Sequence, residues 1–210
     1  MEKIIHQIAG LKRNDLINIC LDSWNPLTAY GFEIVQWNDE SILKFLKQYY
    51  PFVVIAFAKA RNHAEAADIA RYIIVYHFGG CYVDWDVELL DIPIFLKIFN
   101  RNHFGFLIID PVNDTLASEC FAAKKGEQYL LNLTNDIIEL FLSKASEKLA
   151  TPQYTGPYRM RDSLRKHKWT NQTIIPVDQI LLYDYWEIRS KPQKTIKRPL
   201  IHYWLHTWIN

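Results

Sequence analysis

Long apolar segments are absent from this sequence. The uncharged apolar run at residues 51–58 is far shorter than the roughly twenty residues that a membrane-spanning helix needs. Met1-Glu2-Lys3 leads directly into a short predicted strand, without the basic region and long apolar segment of a signal peptide. We therefore expect a cytoplasmic protein, either free or peripheral on the cytoplasmic face of a membrane.

Cysteine and glycine are scarce as well. The three cysteines, Cys20, Cys81 and Cys120, are scattered and odd in number, which argues against a disulfide framework or a cysteine-based metal site and predicts buried thiols. The seven glycines form no glycine-rich phosphate loop, and no nucleic-acid recognition module is apparent. These absences disfavour a triphosphate-binding enzyme and a nucleic-acid partner.

The chain also lacks linkers, repeats and low-complexity tracts. With 210 residues and 50% hydrophobic content it can bury a core, so we predict one domain spanning residues 1–210. Strand and helix patterns alternate, which predicts an α/β sheet of Rossmann-like type with flanking helices. The predicted strands lie at residues 3–8, 32–37, 81–83 and 105–109, and the predicted helices at residues 15–23, 39–50, 61–78 and 128–144. Asp39 or Ser41 is the expected cap of the second helix.

Charge is uneven although the net charge is only +1. Residues 155–210 hold ten Lys or Arg against four Asp or Glu, and they interleave these cations with aromatic side chains. One interpretation is a solvated face with ordinary aromatic packing. The others are attraction to an anionic membrane surface and help in holding a diphosphate. The basic residues form two groups, Arg159, Arg161, Arg165, Lys166 and Lys168 and then Lys191, Lys194, Lys197 and Arg198.

Residues 64–90 carry the most informative pattern. Apolar residues at every third or fourth position predict a helix buried against a sheet, and Asp68 and Arg71 lie three apart on it, so they can face one ligand or each other. Gly79-Gly80 then ends the helix, because glycine adopts the left-handed conformation that helix ends favour. A strand follows and runs into Asp84-Trp85-Asp86.

Alternation along an extended chain sends Asp84 and Asp86 to the same side. Two neighbouring carboxylates repel unless a cation lies between them, and a hard divalent ion such as Mn²⁺ or Mg²⁺ can bind both and bridge to a diphosphate. The ends of parallel strands meet at one edge of a sheet, so we expect His6, Gln7 and Asp84 to gather there. The tripeptide alone is weak evidence, but its combination with Asp68, Arg71 and the glycine pair is much rarer.

These blocks resemble the glycosyltransferase family named for its DXD sugar-binding region, which includes yeast outer-chain mannosyltransferases and bacterial capsular-polysaccharide transferases. The central spacing is also similar to that of the more distant clostridial glucosylating toxins. The resemblance implies a GT-A-type fold with an aromatic, basic C-terminal tail. It extends from residue 3 to residue 208 and rests on Lys3-Ile4-Ile5-His6-Gln7-Ile8, Ser23-Trp24-Asn25-Pro26, Trp37-Asn38-Asp39, Asp68, Arg71, Gly79, Gly80, Tyr82, Asp84, Asp86, Thr155-Gly156-Pro157, His202 and Thr207-Trp208.

The resemblance implies a role for each of these side chains. Asp86 is implied to be a direct metal ligand, and Asp84 to contact ribose, sugar or a metal-bound water, which makes the pair the catalytic carboxylates. His202 is implied to be a further ligand. The implied donor contacts are Asp68, Arg71, Tyr82, Asp84, Gln7, Thr207 and Trp208, and the implied sugar or acceptor side is Thr155, Gly156 and Pro157.

The chain departs from the family pattern at several positions. Ala9 stands where the family usually has Trp, Ala67 where it has Ser, and Thr207 where it has Ser. Part of the sugar subsite, in the region around Ser118 and Glu119, has no assigned residue. The role of His206, either on the diphosphate or on the acceptor, stays open.

The resemblance implies a hexosyltransferase that uses a UDP- or GDP-sugar donor, Mn²⁺ or Mg²⁺, and a glycan or lipid-linked oligosaccharide acceptor. Retention of anomeric configuration and a role in capsule, lipopolysaccharide or another surface polysaccharide come from the same source. Two alternatives stay open: an inactive glycan-binding or scaffold protein that keeps the fold, and a nucleotidyltransferase, which the lack of a phosphate loop disfavours.

Overall fold

The computed structural model describes residues 1–10 and 13–205. Its strands are β1 (Ile4–Ile8), β2 (Glu33–Trp37), β3 (Gly80–Asp84), β4 (Val87–Leu89), β5 (Gly105–Asp110), β6 (Thr115–Leu116), β7 (Cys120–Ala123), β8 (Thr173–Pro176) and β9 (Leu200–His202). Its α-helices are α1 (Asp15–Asp22), α2 (Asp39–Tyr49), α3 (Val54–Ala58), α4 (His63–Phe78), α5 (Ile92–Arg101), α6 (Gln128–Leu142), α7 (Thr151–Tyr154), α8 (Pro157–His167) and α9 (Glu187–Ser190). Short 3₁₀ turns cover Asn25–Tyr30, Ala145–Lys148 and Val177–Gln179.

The main sheet is mixed. Its strand order is β2-β1-β3-β7-β5-β6, and β8 pairs with β5. β1 runs parallel to both β2 and β3, whereas β7 runs antiparallel to β3 and β5. Because Ile8 is paired with Asp84, the carboxyl ends of β1 and β3 lie side by side. A separate antiparallel pair joins β4 to β9.

Alternate residues of the sheet enter two hydrophobic clusters. Tyr82 and Phe121 pack with helices α2, α4 and α6 in one cluster, whereas Cys81, Val83 and Cys120 belong to the other, which includes residues of α5. This alternation is what strand geometry dictates, since successive side chains point to opposite faces. Helix α4 is buried along most of its length between the sheet and α6, which holds Asp68 and Arg71 inside the protein.

Glycine is required where α4 meets β3. Gly79 has φ +74° and Gly80 has φ +97°, and a Cβ at Gly80 would lie 2.5 Å from the carbonyl oxygen of Ile4. Any other residue would therefore be strained in backbone angle and would push β1 away from β3. The predicted helix end at Gly79-Gly80 is confirmed.

The predicted α/β architecture with flanking helices is confirmed, and so are all eight predicted helices and strands, within a few residues at their ends. The N-cap of α2 is Asn38 and not Asp39 or Ser41. The Asn38 side chain accepts from the backbone N–H of Ser41, and the Ser41 hydroxyl accepts from the backbone N–H of Asn38. The three cysteines are buried free thiols, as predicted. Within residues 1–10 and 13–205, no helix has both the length and the apolar character needed to cross a membrane.

Candidate functional site

Two acidic residues at the end of β3 meet a histidine from the far end of the chain. Asp84 is the last residue of β3, Asp86 lies in the turn to β4, and the β4–β9 pairing brings His202 opposite Val87. The backbone N–H of Tyr203 donates to the Asp86 carbonyl at 3.0 Å, which fixes β9 against this turn. One ligand atom from each of Asp84, Asp86 and His202 lies within 4.8 Å of the other two.

Asp86 is buried and held from two directions. His202 Nε2 lies 3.4 Å from its Oδ1, and the backbone N–H of Leu205 donates to its Oδ2 at 2.9 Å. Burial alone would raise the pKa of Asp86, but the charge and hydrogen bonding of His202 and the Leu205 N–H outweigh that effect and lower it. Asp86 is therefore ionised at neutral pH.

His202 lies between two carboxylates. Its Nε2 faces Asp86, and its Nδ1 is 3.5 Å from Glu119 Oε1 without a hydrogen bond to it. Burial lowers the pKa of His202, but the negative charges of Asp86 and Glu119 raise it to about 10. Without a metal ion, His202 is therefore a protonated histidine that neutralises part of the carboxylate charge.

Asp84 is braced by an arginine and a tyrosine. Arg71 Nη1 lies 3.1 Å from Asp84 Oδ1, and the Tyr82 hydroxyl donates to the same oxygen at 2.6 Å. About a quarter of the Asp84 side chain stays exposed (24%). Burial and the neighbouring charge of Asp86 raise its pKa, while Arg71 and Tyr82 act in the opposite direction.

Arg71 contacts three further groups besides Asp84. Its Nη2 lies 3.0 Å from Asp68 Oδ1, its Nη1 donates to the Ser118 carbonyl at 2.6 Å, and its guanidinium lies over the Tyr82 ring at 4.6 Å. Asp68 and Arg71 therefore face each other, which is one of the two arrangements that their spacing allowed. Burial raises the pKa of Asp68 to about 6, although Arg71 and Thr155 lower it.

The Thr155-Gly156-Pro157 block packs directly against Asp68. The Thr155 hydroxyl donates to Asp68 Oδ2 at 2.8 Å, and a Cβ at Gly156 would lie 3.3 Å from the same oxygen. Pro157 is the first residue of α8, where its missing N–H costs nothing. This segment, predicted to lie on the sugar or acceptor side, therefore lies beside the Asp68–Arg71 pair.

The remaining predicted residues contact Asp84 directly, bond elsewhere or lie outside the described part of the chain. Tyr82 is buried and reaches the site through its hydroxyl. Gln7 is buried too, and it donates to the Leu21 carbonyl and accepts from Gln36, both at 3.3 Å. The expectation for His6 is wrong, because its ring contacts the Gly79 carbonyl, which precedes β3. Thr207, Trp208 and His206 lie outside the described residues.

Glu119 and Ser118, which the sequence left without a role, contact residues of the candidate site. β7 pairs antiparallel with β3, and the backbone N–H of Asp84 donates to the Glu119 carbonyl at 2.8 Å. This pairing brings the Glu119 side chain to His202 and the Ser118 carbonyl to Arg71. The unassigned polar region around residues 118 and 119 therefore contacts both the Asp84–Asp86–His202 cluster and the Asp68–Arg71 pair.

The donor set suits a hard divalent cation. Two carboxylates and one imidazole are the oxygen and nitrogen ligands that Mn²⁺ accepts. The site also holds unsatisfied polar atoms, since the buried Arg71 Nε and His202 Nδ1 have no hydrogen-bond partner among the described residues. Buried polar atoms are normally paired, so their concentration here indicates a site that gains partners when a ligand binds.

Part of the sequence matches a known protein family. Residues 14–104 match the family described as "Glycosyltransferase sugar-binding region containing DXD motif". The resemblance to the DXD glycosyltransferase family is thereby confirmed. The matched residues include Asp68, Arg71, Asp84 and Asp86, whereas Thr155 and His202 lie beyond them.

The chain is also similar to a yeast enzyme. Over 129 residues the chain is 39% identical to inositol phosphoceramide mannosyltransferase 3 of Schizosaccharomyces pombe, in a match that covers 60% of this chain and 34% of the relative. The chain thus spans about a third of the length of this curated relative.

Two solved structures share the fold. PaToxG glycosyltransferase matches with a TM-score of 0.55 at 15% identity, over 79% of this chain and 69% of that one. A glycosyltransferase involved in the glycosylation of the major capsid of PBCV-1 matches with a TM-score of 0.51 at 12% identity, over 95% of this chain and 93% of that one. At these identities the likeness shows the fold alone, which is that of GT-A glycosyltransferases.

Proposed function

We propose that this protein is a metal-dependent hexosyltransferase that moves a sugar from a UDP- or GDP-sugar to a glycan or lipid-linked oligosaccharide acceptor. The observation that carries the proposal is the convergence of Asp84, Asp86 and His202 within 4.8 Å. The match of residues 14–104 to the DXD sugar-binding family supports the same conclusion. The proposal includes retention of configuration and a role in surface-polysaccharide synthesis at the cytoplasmic face of a membrane.

Asp86, Asp84 and His202 would hold the metal ion, which is Mn²⁺ or Mg²⁺. When bound, such an ion offsets the negative charge that develops on the departing diphosphate. His202 must lose its proton to become a ligand, because a protonated imidazole has no free lone pair. Asp86 would then be neutralised by the ion, and no longer by the protonated His202.

The buried ion pairs position Asp84. Arg71 and the Tyr82 hydroxyl both contact Asp84 Oδ1, which leaves Oδ2 as the oxygen without these contacts. A carboxylate held in this way loses little conformational freedom when a ligand binds. These residues would thereby supply a rigid acidic edge that could orient the ribose or a water on the metal ion.

Asp68, Arg71 and Thr155 form the proposed donor side. Asp68 and Arg71 form a buried ion pair with each other. A sugar hydroxyl would therefore hydrogen-bond to an existing ion pair, and neither charge would have to leave water when the sugar binds. Arg71 Nε lacks a partner among the described residues. Because the ion pairs with Asp68 and Asp84 hold the guanidinium in place, its Nε–H is a fixed donor for a sugar oxygen. Gly156 keeps the space beside Asp68 Oδ2 free of a side chain.

The proposed hexose is mannose and the proposed acceptor is carried by a lipid. Both rest on the name of the yeast relative, an inositol phosphoceramide mannosyltransferase that is 39% identical over the matched residues. The nucleotide is left as UDP or GDP, since no described contact distinguishes the two bases.

The proposal is tested by incubating the protein with Mn²⁺ and a panel of UDP- and GDP-hexoses that includes GDP-mannose. With water as the acceptor, we expect one donor to be hydrolysed to the nucleoside diphosphate and a hexose, which NMR should show to have retained configuration when it is first formed, before its anomers interconvert. If no donor is consumed although calorimetry shows nucleotide binding, the inactive scaffold alternative is correct. If neither turnover nor binding is seen, the proposed activity is wrong.

A further inference from the structure

Residues 186–198 form a cationic segment that no part of the proposed reaction uses. The segment contains five basic residues, Arg189, Lys191, Lys194, Lys197 and Arg198. No acidic residue occurs between Ile188 and His202. After Glu187 near its start, the cationic segment therefore carries five positive charges and no negative one.

Large apolar side chains stand out from the same segment. Trp186 is 72% exposed and Ile196 is 56% exposed, and every residue from 189 to 197 is exposed. Arg189 lies over the rings of Tyr185 and Trp186, and Lys194 lies over the ring of Tyr183. Exposed tryptophan among lysine and arginine is the composition of proteins that lie on anionic membrane surfaces, where the ring enters the interface and the cations contact the headgroups.

The basic residues of α8 differ from the cationic segment in their partners. Arg161 and Arg165 pair with Asp114, and Lys166 pairs with Asp136. In the cationic segment, only Lys194 has a carboxylate partner, Glu187 at 2.6 Å, among the residues that the structure describes. The positive charge of this segment is thus available to an external anion, whereas that of the α8 arginines is largely neutralised.

The cationic segment lies next to the candidate metal centre. It leads directly into β9, which ends at His202. The Tyr185 ring is 5.8 Å from the Trp204 ring, and the Trp204 ring is 4.2 Å from the His202 ring. A surface bound to the segment would therefore lie close to the site at which a sugar is transferred.

We propose that the cationic segment docks the protein on an anionic lipid bilayer, with Trp186 and Ile196 entering the interface. Charge complementarity is the argument for this occupant, since the five cations have one carboxylate partner in the described structure. The docking stands independently of the reaction. Its consequence, that the site faces an acceptor carried by a lipid, rests on the proposed function.

Vesicle sedimentation tests the docking directly. Wild-type protein is mixed with vesicles of phosphatidylcholine alone or of phosphatidylcholine with phosphatidylserine, at low and at high salt. We expect binding to the anionic vesicles only, weakened by salt because exposed charges are screened. Absence of binding by the wild type to anionic vesicles would overturn the proposal.

Two sets of lysine substitutions locate the surface. Lys191→Gln, Lys194→Gln and Lys197→Gln together should weaken binding by about 100-fold, since each surface cation contributes about fivefold. The matched control is Lys44→Gln, Lys47→Gln and Lys59→Gln, three exposed lysines of α2 and the end of α3 beside the exposed Phe52 and Ile55. The control should bind like the wild type. Equal losses in the two sets, or a loss in the control alone, would place the surface elsewhere.

A tryptophan variant and an activity measurement complete the test. Trp186→Ala should weaken binding while leaving its salt dependence in place, because the cations are retained. Donor hydrolysis in solution should be unchanged in the triple Lys191, Lys194 and Lys197 variant, which shows that it is folded. If the triple variant loses docking but keeps turnover, the cationic segment acts in docking and not in the reaction. If the wild type docks but shows no turnover, the proposed function is wrong and the docking proposal stands.

Discussion

The Thr155 hydroxyl donates a 2.8 Å hydrogen bond to Asp68 Oδ2, although 87 residues separate the two along the chain. Both residues are buried, and Asp68 also faces Arg71. Two sequence blocks, the helix before the Asp-x-Asp turn and the Thr-Gly-Pro segment, thus form one hydrogen-bonded unit. The position of Asp68 therefore depends on a residue in a different part of the fold.

The first prediction concerns the Thr155 hydroxyl. Thr155→Val keeps the shape of the side chain but removes the donor to a buried carboxylate, so we expect a loss of about 1–3 kcal/mol in the free energy of unfolding. Thr155→Ser keeps the hydroxyl and should lose less. Urea unfolding monitored by circular dichroism measures both, and equal losses would show that the hydrogen bond contributes little.

The second prediction concerns Arg71. Arg71→Met leaves Asp68 and Asp84 without their shared cation, so we expect a loss of about 3–5 kcal/mol in unfolding free energy. Arg71→Lys should lose less stability than Arg71→Met but still be less stable than the wild type. A single ammonium cannot replace the two guanidinium nitrogens that contact Asp68, Asp84 and the Ser118 carbonyl. The control is Arg165→Met, which breaks an exposed pair with Asp114 and should cost no more than about 1 kcal/mol. A loss in the control as large as that in Arg71→Met would contradict the assigned role of Arg71.

The third prediction gives Glu119 a positioning role. A metal-binding histidine usually directs its second ring nitrogen at a carboxylate, and Glu119 Oε1 lies 3.5 Å from His202 Nδ1. Glu119→Gln should weaken Mn²⁺ binding by about 10–100-fold, measured by calorimetry without any sugar donor. Glu139→Gln, on the exposed face of α6, is the control and should leave Mn²⁺ affinity unchanged. Unchanged affinity in Glu119→Gln would exclude the role.

The fourth prediction concerns pH and the metal-free protein. The pKa of His202 rises from 6.5 to about 10 on folding, so the folded state binds the proton more tightly than the unfolded state does. The stability that this proton confers is complete below pH 6.5 and is lost as pH rises through about 10.

His202→Gln isolates this contribution. The difference in unfolding free energy between wild type and variant, measured by urea titration without metal, should shrink steadily from pH 6.5 to pH 10. A difference that is constant over this range would show that His202 is not held protonated by Asp86 and Glu119.

Local patterns in the sequence predicted much of the fold. The apolar period of α4, the Gly79-Gly80 stop and the strand before Asp84 are all set by neighbouring residues, so they were readable without the structure. The convergence of Asp84 with Asp86 followed from strand alternation, although Asp86 lies in a turn rather than in the strand.

Non-local pairing explains what the sequence could not predict. Glu119 reaches His202 only because β7 is antiparallel to β3 and its register places Cys120 opposite Val83. The approach of His202 depends in the same way on the β4–β9 pair. Helical spacing allowed Asp68 and Arg71 to face a ligand or each other. In the structure they face each other, with Thr155 donating to Asp68 from a distant part of the chain.

The central claim is that Asp86 holds a metal ion that the reaction requires. The most direct measurement is Mn²⁺-dependent release of nucleoside diphosphate by the wild type, Asp86→Asn and the control Asp22→Asn, an exposed carboxylate at the end of α1. We predict release by the wild type and the control that chelation abolishes, and none by Asp86→Asn. Release by Asp86→Asn at the wild-type rate, or release that persists without a divalent ion, would contradict the account.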